Sequence, residues 1–128
     1  LWVAGVDGKN PREISGSAHP ADFASWSPDG KRILFANERL SPSGVVWTVR
    51  PDGSELTQVF EGTEASFPLS PVWSPDGTKI LFAMDPDNDE FEHHPNFFVV
   101  RPADGGAVPV RVRGTPAGTF SRWPTWFD

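Results

Sequence analysis

The stretch of this 128-residue chain richest in ligating side chains is Asp85-Pro86-Asp87-Asn88-Asp89-Glu90-Phe91-Glu92-His93-His94. Its carboxylates suit a hard cation such as Ca²⁺, and its imidazoles suit Zn²⁺. The alternate aspartates have the spacing of a calcium loop. However, the sixth position is Glu90, where an EF-hand needs Gly, and the twelfth is Asn96 in place of a bidentate Glu. Adjacent His93 and His94 point to opposite sides of an extended backbone, so one ion could hold both only at a bend. Three uses stay open: a cation site, a partner-binding surface, and a solvated insertion, the last being the default for an acidic run. The candidate binding residues are therefore Asp85, Asp87, Asp89, Glu90, His93 and His94. No metal or other cofactor is assigned.

Nucleophilic and phosphate chemistry find no foothold. The chain has no Cys, no G-x-S-x-G elbow, no Ser beside a plausible base in sequence and no glycine-rich phosphate loop. His19 precedes Pro20 in a connection between repeats and reads as a surface residue. No catalytic residue is assigned. Trp26, Trp73 and Trp126 recur at one position of a repeat; such aromatics are core before they are ligand platforms, because repeat units bury their faces on one another. Asp29 and Asp76 read first as turn formers, each bonding nearby backbone.

The elements that must carry these residues come from the repeat. Trp26-Ser27-Pro28-Asp29-Gly30 and Trp73-Ser74-Pro75-Asp76-Gly77 are one pentapeptide written twice, 47 residues apart, and each leads into Ile-Leu-Phe-Ala. A degraded third start, Pro124-Thr125-Trp126, matches Pro71-Val72-Trp73. A period of about 40–50 residues predicts propeller blades or a long solenoid. Ser-Pro-Asp-Gly predicts a tight hairpin, a type I turn closed by a glycine bulge. Ile33–Ala36 and Ile80–Ala83 are apolar at consecutive positions, which predicts strands buried on both faces. A second hairpin follows in each repeat. Val45–Arg50, the turn Pro51-Asp52-Gly53-Ser54 and Leu56–Phe60 form one copy; Phe97–Arg101, an Asp104-Gly105 turn and Val108–Val112 form the next. Leu1–Ala4, Val6-Asp7-Gly8-Lys9 and Arg12–Ser15 form an earlier one. Each full repeat is then four antiparallel strands with short and variable connections in alternation. Both kinds of turn fall at one end. The variable segments 15–22, 38–44, 61–69, 84–96 and 113–122 fall at the other, where ligand or partner contacts are expected to concentrate.

Trp-Ser-Pro-Asp-Gly followed by an Ile-Leu-Phe strand and a downstream Asp-Gly hairpin resembles the WD40-like, TolB-type β-propeller repeat. It is also similar to the propeller of prolyl-oligopeptidase-type serine peptidases. The resemblance covers nearly the whole chain: the end of a blade with its linker (1–21), a full blade (22–60), a second (69–113) and the first strand of another (120–128). At the last site Trp126 is followed by Phe127-Asp128, a departure from the motif. The fold class implied is all-β, a segment of tandem four-stranded antiparallel blades in an incomplete ring. Two and a half blades fall short of the roughly 4–8 that close a propeller. The chain is thus expected to be a fragment, with the missing blades of its parent among its partners; a self-assembling part-propeller is the alternative. The resemblance implies a non-catalytic protein-interaction scaffold. The alternatives are the gating propeller of a peptidase whose catalytic domain lies outside these residues, and a propeller enzyme working at its axial channel. TolB-like resemblance also points to an extracytoplasmic location.

Composition agrees with a turn-rich all-β protein: 38% hydrophobic residues, six Trp, ten Phe, twelve Gly and fourteen Pro. The net charge of −6 and the scatter of the eleven basic residues argue against nucleic acid and against an anionic membrane surface. A protein partner stays compatible. No apolar run is long enough for membrane insertion, and the absence of Cys removes disulfides.

Overall fold

The computed structural model describes residues 1–16, 21–37, 44–63, 68–84, 96–100, 110–112 and 125–126. Two four-stranded sheets and a two-stranded hairpin follow one another along the chain, and every strand pair is antiparallel. The hairpin is β1 (Trp2–Val3) with β2 (Arg12–Glu13). The first full sheet is a meander of β3 (Asp22–Trp26), β4 (Ile33–Asn37), β5 (Val45–Val49) and β6 (Thr57–Glu61). The second repeats it with β7 (Pro68–Trp73), β8 (Ile80–Met84), β9 (Asn96–Val100) and β10 (Val110–Arg111).

Strand β4 shows why the consecutive apolar run is extended. Side chains alternate across a strand, so a run without polar interruptions needs cover on both sides. Ile33 and Phe35 pack with Ile14, Val49, Leu1 and Val3, so this face lies against the preceding hairpin. Leu34, with Val46 and Val59, faces Ile80 and Phe82 of the next sheet. All four residues Ile33–Ala36 are at most 3% exposed. The same positions recur one repeat on: Ile80 and Phe82 look back as Ile33 and Phe35 do, and Val46 and Val59 take the places of Leu1 and Ile14. β7 lies against β3, β4 and β5, so the sheets stack face to face through their early strands.

The first strand of each sheet carries a bulge at the same place. Register slips between Asp22 and Ser25 in β3, and between Leu69 and Val72 in β7. Phe23 and Ser70, 47 residues apart in sequence, take φ of 53° and 47°. A bulky residue such as Phe enters that left-handed region only where its surroundings force it. The distortion belongs to the repeat.

The turns are built by their own side chains. In Ser27–Gly30 the Gly30 amide donates to the Ser27 carbonyl at 2.9 Å, and the Ser27 amide donates to the Arg32 carbonyl at 2.8 Å. Gly30 sits at φ 68°, as the expected glycine bulge requires. The Ser27 hydroxyl donates to Asp29 at 2.7 Å and accepts from the Arg32 amide at 2.9 Å, while Asp29 accepts from the Lys31 amide at 3.1 Å. The turn at Ser74–Gly77 repeats each bond. A Cβ built on Gly77 would lie 3.6 Å from Pro28 Cδ, so successive turns touch.

Candidate functional site

The meander fixes two unlike ends. At one end lie the Ser-Pro-Asp-Gly turns and the Asp-Gly turns; at the other, the connections β4–β5, β6–β7 and β8–β9. Gly44 and Gly62 meet at that second end, the Gly62 amide donating to the Gly44 carbonyl at 2.9 Å. Met84 pairs with Asn96, so the connection holding the acidic and histidine residues springs from the same end. Asp85, Asp87, Asp89, Glu90, His93 and His94 themselves lie outside the described residues. His19 does too. Among the described residues no three His, Cys, Asp or Glu side chains converge as metal ligands.

At the turn end the electrostatics are strong but directed inward. Asp76 accepts from the Ser74 hydroxyl at 2.6 Å, the Thr78 amide at 2.9 Å and the Thr78 hydroxyl at 2.8 Å. These bonds favour the ionised form, the Ser74 bond most, and hold its pKa down from 3.8 to about 2. Asp29 is lowered by the Ser27 hydroxyl and then the Lys31 amide, and Asp52 by the Ser54 hydroxyl and then the Ser54 amide. Three carboxylates locked to their own turns serve folding, not proton transfer. Their folded values lie below the unfolded ones, so their contribution is complete above about pH 4 and drains away as pH falls toward the folded value. We expect the melting temperature to drop between about pH 4 and pH 2, and Asp76→Asn to flatten part of that drop in a pH series of thermal melts.

Sequence reasoning missed an ionic cluster at this end. Glu55 takes Arg32 at 2.6 Å and Arg50 at 2.9 Å, and Arg32 also reaches the Thr48 hydroxyl at 3.4 Å. Arg12 of the hairpin donates to the Pro51 carbonyl at 2.5 Å, tying hairpin to sheet. The side chains of Arg32 and Glu55 are about a third and a half exposed, so this pair contributes on the order of 0–1 kcal/mol. Partners 23 residues apart leave no mark in local pattern.

One expectation needs correcting. Trp73 is half-buried against the Leu34–Phe82 cluster, as a core aromatic should be. Its repeat mate Trp26 is 51% exposed. The reason lies in what faces it. Trp73 meets the face of a full sheet, whereas Trp26 borders a cleft of about 170 Å³ lined by Leu1–Ala4, Ala24, Ser25 and Ile33.

Among the described residues no helix is long and apolar enough to cross a membrane. No family model matches the chain. It is 36% identical over 67 residues to the Tol-Pal system protein TolB of Xylella fastidiosa strain M12, covering 52% of this chain and 15% of that protein. It is 38% identical over 63 residues to the Tol-Pal system protein TolB of Xanthomonas campestris pv. campestris strain B100, covering 48% and 14%. The matched stretch thus spans about one seventh of these curated relatives' length. In fold it is similar to TolB from Acinetobacter baumannii, with a TM-score of 0.67 at 18% identity over 93% of this chain and 27% of that one. It is also similar to an oligogalacturonate lyase in complex with manganese, with a TM-score of 0.62 at 22% identity over 87% and 28%. Serial four-stranded sheets, repeated turn chemistry and these likenesses agree: the chain has the fold of a β-propeller segment, and its repeats are similar to those of TolB.

Proposed function

We propose that this propeller segment is a non-catalytic scaffold, extracytoplasmic like the resemblance implies, that binds a protein through the end bearing its variable connections. The observation that supports it is the division between the two ends. One is closed, among the described residues, by aspartates that bond their own turns. The other carries connections of unequal length, among them 85–95, on a rigid stack of sheets, the usual place for recognition. The curated relatives are Tol-Pal system proteins, which makes a purified Pal protein the first probe. The full chain should bind Pal in biolayer interferometry. Deleting residues 86–93 should weaken binding at least about tenfold, worth 1.4 kcal/mol, with the melting temperature preserved. Equal binding by the deleted chain ends the assignment to that face; no binding by the full chain removes Pal.

Since one fold neighbour carries manganese, the acidic segment is also tested for metal. Millimolar Mn²⁺, Ca²⁺ or Zn²⁺ should leave the thermal transition where it was. A ligand held at 100 times its dissociation constant would contribute about 2.7 kcal/mol, so a rise of several degrees would favour a metal-assisted propeller enzyme over a scaffold.

A further inference from the structure

Four described turns place an aspartate carboxyl beside the main-chain nitrogen of a glycine, which no side chain shields: Asp7-Gly8, Asp29-Gly30, Asp52-Gly53 and Asp76-Gly77. Asp104-Gly105 is a further pair and lies outside the described residues. The four backbones are alike. Each glycine has φ between 68° and 88°, and its amide donates to the carbonyl three residues back at 2.8–2.9 Å. Each aspartate accepts from the amide two residues on, at 2.9–3.1 Å. The carboxylates differ in one respect. Asp29 also takes the Ser27 hydroxyl at 2.7 Å, Asp52 the Ser54 hydroxyl at 2.6 Å, and Asp76 the hydroxyls of Ser74 and Thr78 at 2.6 and 2.8 Å. Asp7 has only Lys9, through its amide at 3.0 Å and its Nζ at 3.4 Å. Gly5 stands where Ser27 and Ser74 stand, and Lys9 where Ser54 and Thr78 stand, so neither place supplies a hydroxyl.

We propose that Asp7 is a site of spontaneous covalent modification, at which the folded chain converts aspartate to isoaspartate. The Gly8 nitrogen attacks Asp7 Cγ; a C–N bond forms, the carboxyl C–O bond breaks, and the amide proton leaves with the hydroxyl as water. Water then opens the five-membered succinimide. Cleavage between the nitrogen and the Asp7 main-chain carbonyl carbon routes the chain through Cγ and frees the α-carboxylate. The water lost is regained, so the mass is unchanged. The carboxyl reacts in its protonated form, which gives up a hydroxyl far more readily than a carboxylate gives up oxide. A hydroxyl donor favours the ionised form and fixes the carboxyl oxygen, so it opposes the step twice. Asp29, Asp52 and Asp76 are held in this way, with the Ser27, Ser54 and Ser74 hydroxyls the leading causes of their lowered pKa values. Room for the product points to the same place. A Cβ built on Gly8 meets nothing within 4 Å, whereas one on Gly53 lies 3.6 Å from the Ile14 carbonyl and one on Gly77 lies 3.6 Å from Pro28. The extra main-chain carbon lengthens the turn between β1 and β2, which the Gly5 amide closes on the Lys9 carbonyl at 2.9 Å.

The test ages the full 128-residue chain in mildly acidic buffer and maps its peptides. Asp-N protease, which cleaves before aspartate and not before isoaspartate, reads each site, and electron-transfer fragmentation identifies the isomer. Isoaspartate at Asp7 should exceed that at Asp29, Asp52 or Asp76 by at least about tenfold. Lys9→Ser supplies the hydroxyl that Asp52 receives from Ser54, and should slow the reaction at Asp7 at least about threefold. Ser54→Ala removes that hydroxyl, and should speed Asp52 while leaving Asp7 unchanged. Both positions are exposed, so both variants should keep the parent melting temperature. In concentrated urea the four sites should converge, because only the shared Asp-Gly pair remains. The proposal is overturned if the four sites age equally in the folded chain, if the ranking survives unfolding, or if Lys9→Ser leaves the Asp7 rate as it was.

Discussion

Phe82→Ala is expected to cost about 3–5 kcal/mol, the range for emptying a fully buried aromatic site. Phe82 is 0% exposed at the centre of the contact between the two full sheets, where it packs with Leu34, Val46, Val59 and Ile80. Its ring stacks on Phe60, centroids 4.9 Å apart at 28°, so the loss includes an aromatic pair contributing about 0.5–1.5 kcal/mol beyond area. Alanine leaves a void that flanking strands, held in register on both sides, cannot collapse into. Since small domains are stable by only about 5–15 kcal/mol, this single change removes much of the total. Urea denaturation with unchanged slope would show it as a lowered midpoint. A loss under about 1 kcal/mol would mean the two sheets do not share this core.

Ser74→Ala comes second, at about 1–3 kcal/mol for stranding a buried donor. The Ser74 side chain is 3% exposed and works in both directions: its hydroxyl donates to Asp76 at 2.6 Å and accepts the Lys79 amide at 2.9 Å. Alanine leaves that part-buried amide without the partner and removes the main cause of the lowered Asp76 pKa. The variant should therefore show two linked changes, a lower denaturation midpoint and an Asp76 titration moved back toward 3.8, read by carboxyl-carbon NMR. Ser27→Ala should do the same through Asp29. A midpoint that falls while the titration stays put would break the link between the hydroxyl and the carboxylate.

How much of this was readable in advance follows a physical line. Ser-Pro-Asp-Gly and Ile-Leu-Phe-Ala were legible because their causes are local: a proline and a glycine preset the turn, and an unbroken apolar run demands two covers. The bulges at Phe23 and Ser70 were not, since neither residue favours a positive φ and the strand pairing imposes it. Glu55 with Arg32 and Arg50 was invisible for another reason, namely that hairpin geometry brings the charges together across the chain. Trp26 was misjudged because its motif is identical to that of Trp73; only the surface opposite distinguishes them. The site candidates Asp85 to His94 were picked out by composition, and their bearing on recognition stays a matter for the deletion experiment.

That β4 greets one neighbour with Ile33 and Phe35 and the other with Leu34 makes the association front-to-back. Such contacts have no built-in stop: each added unit offers afresh the surface its predecessor consumed, so growth by tandem duplication needs no newly invented fit. What limits the series is the angle through which one unit turns from the last. A small change in that angle is the lever by which evolution can alter the number of units in a closed circle.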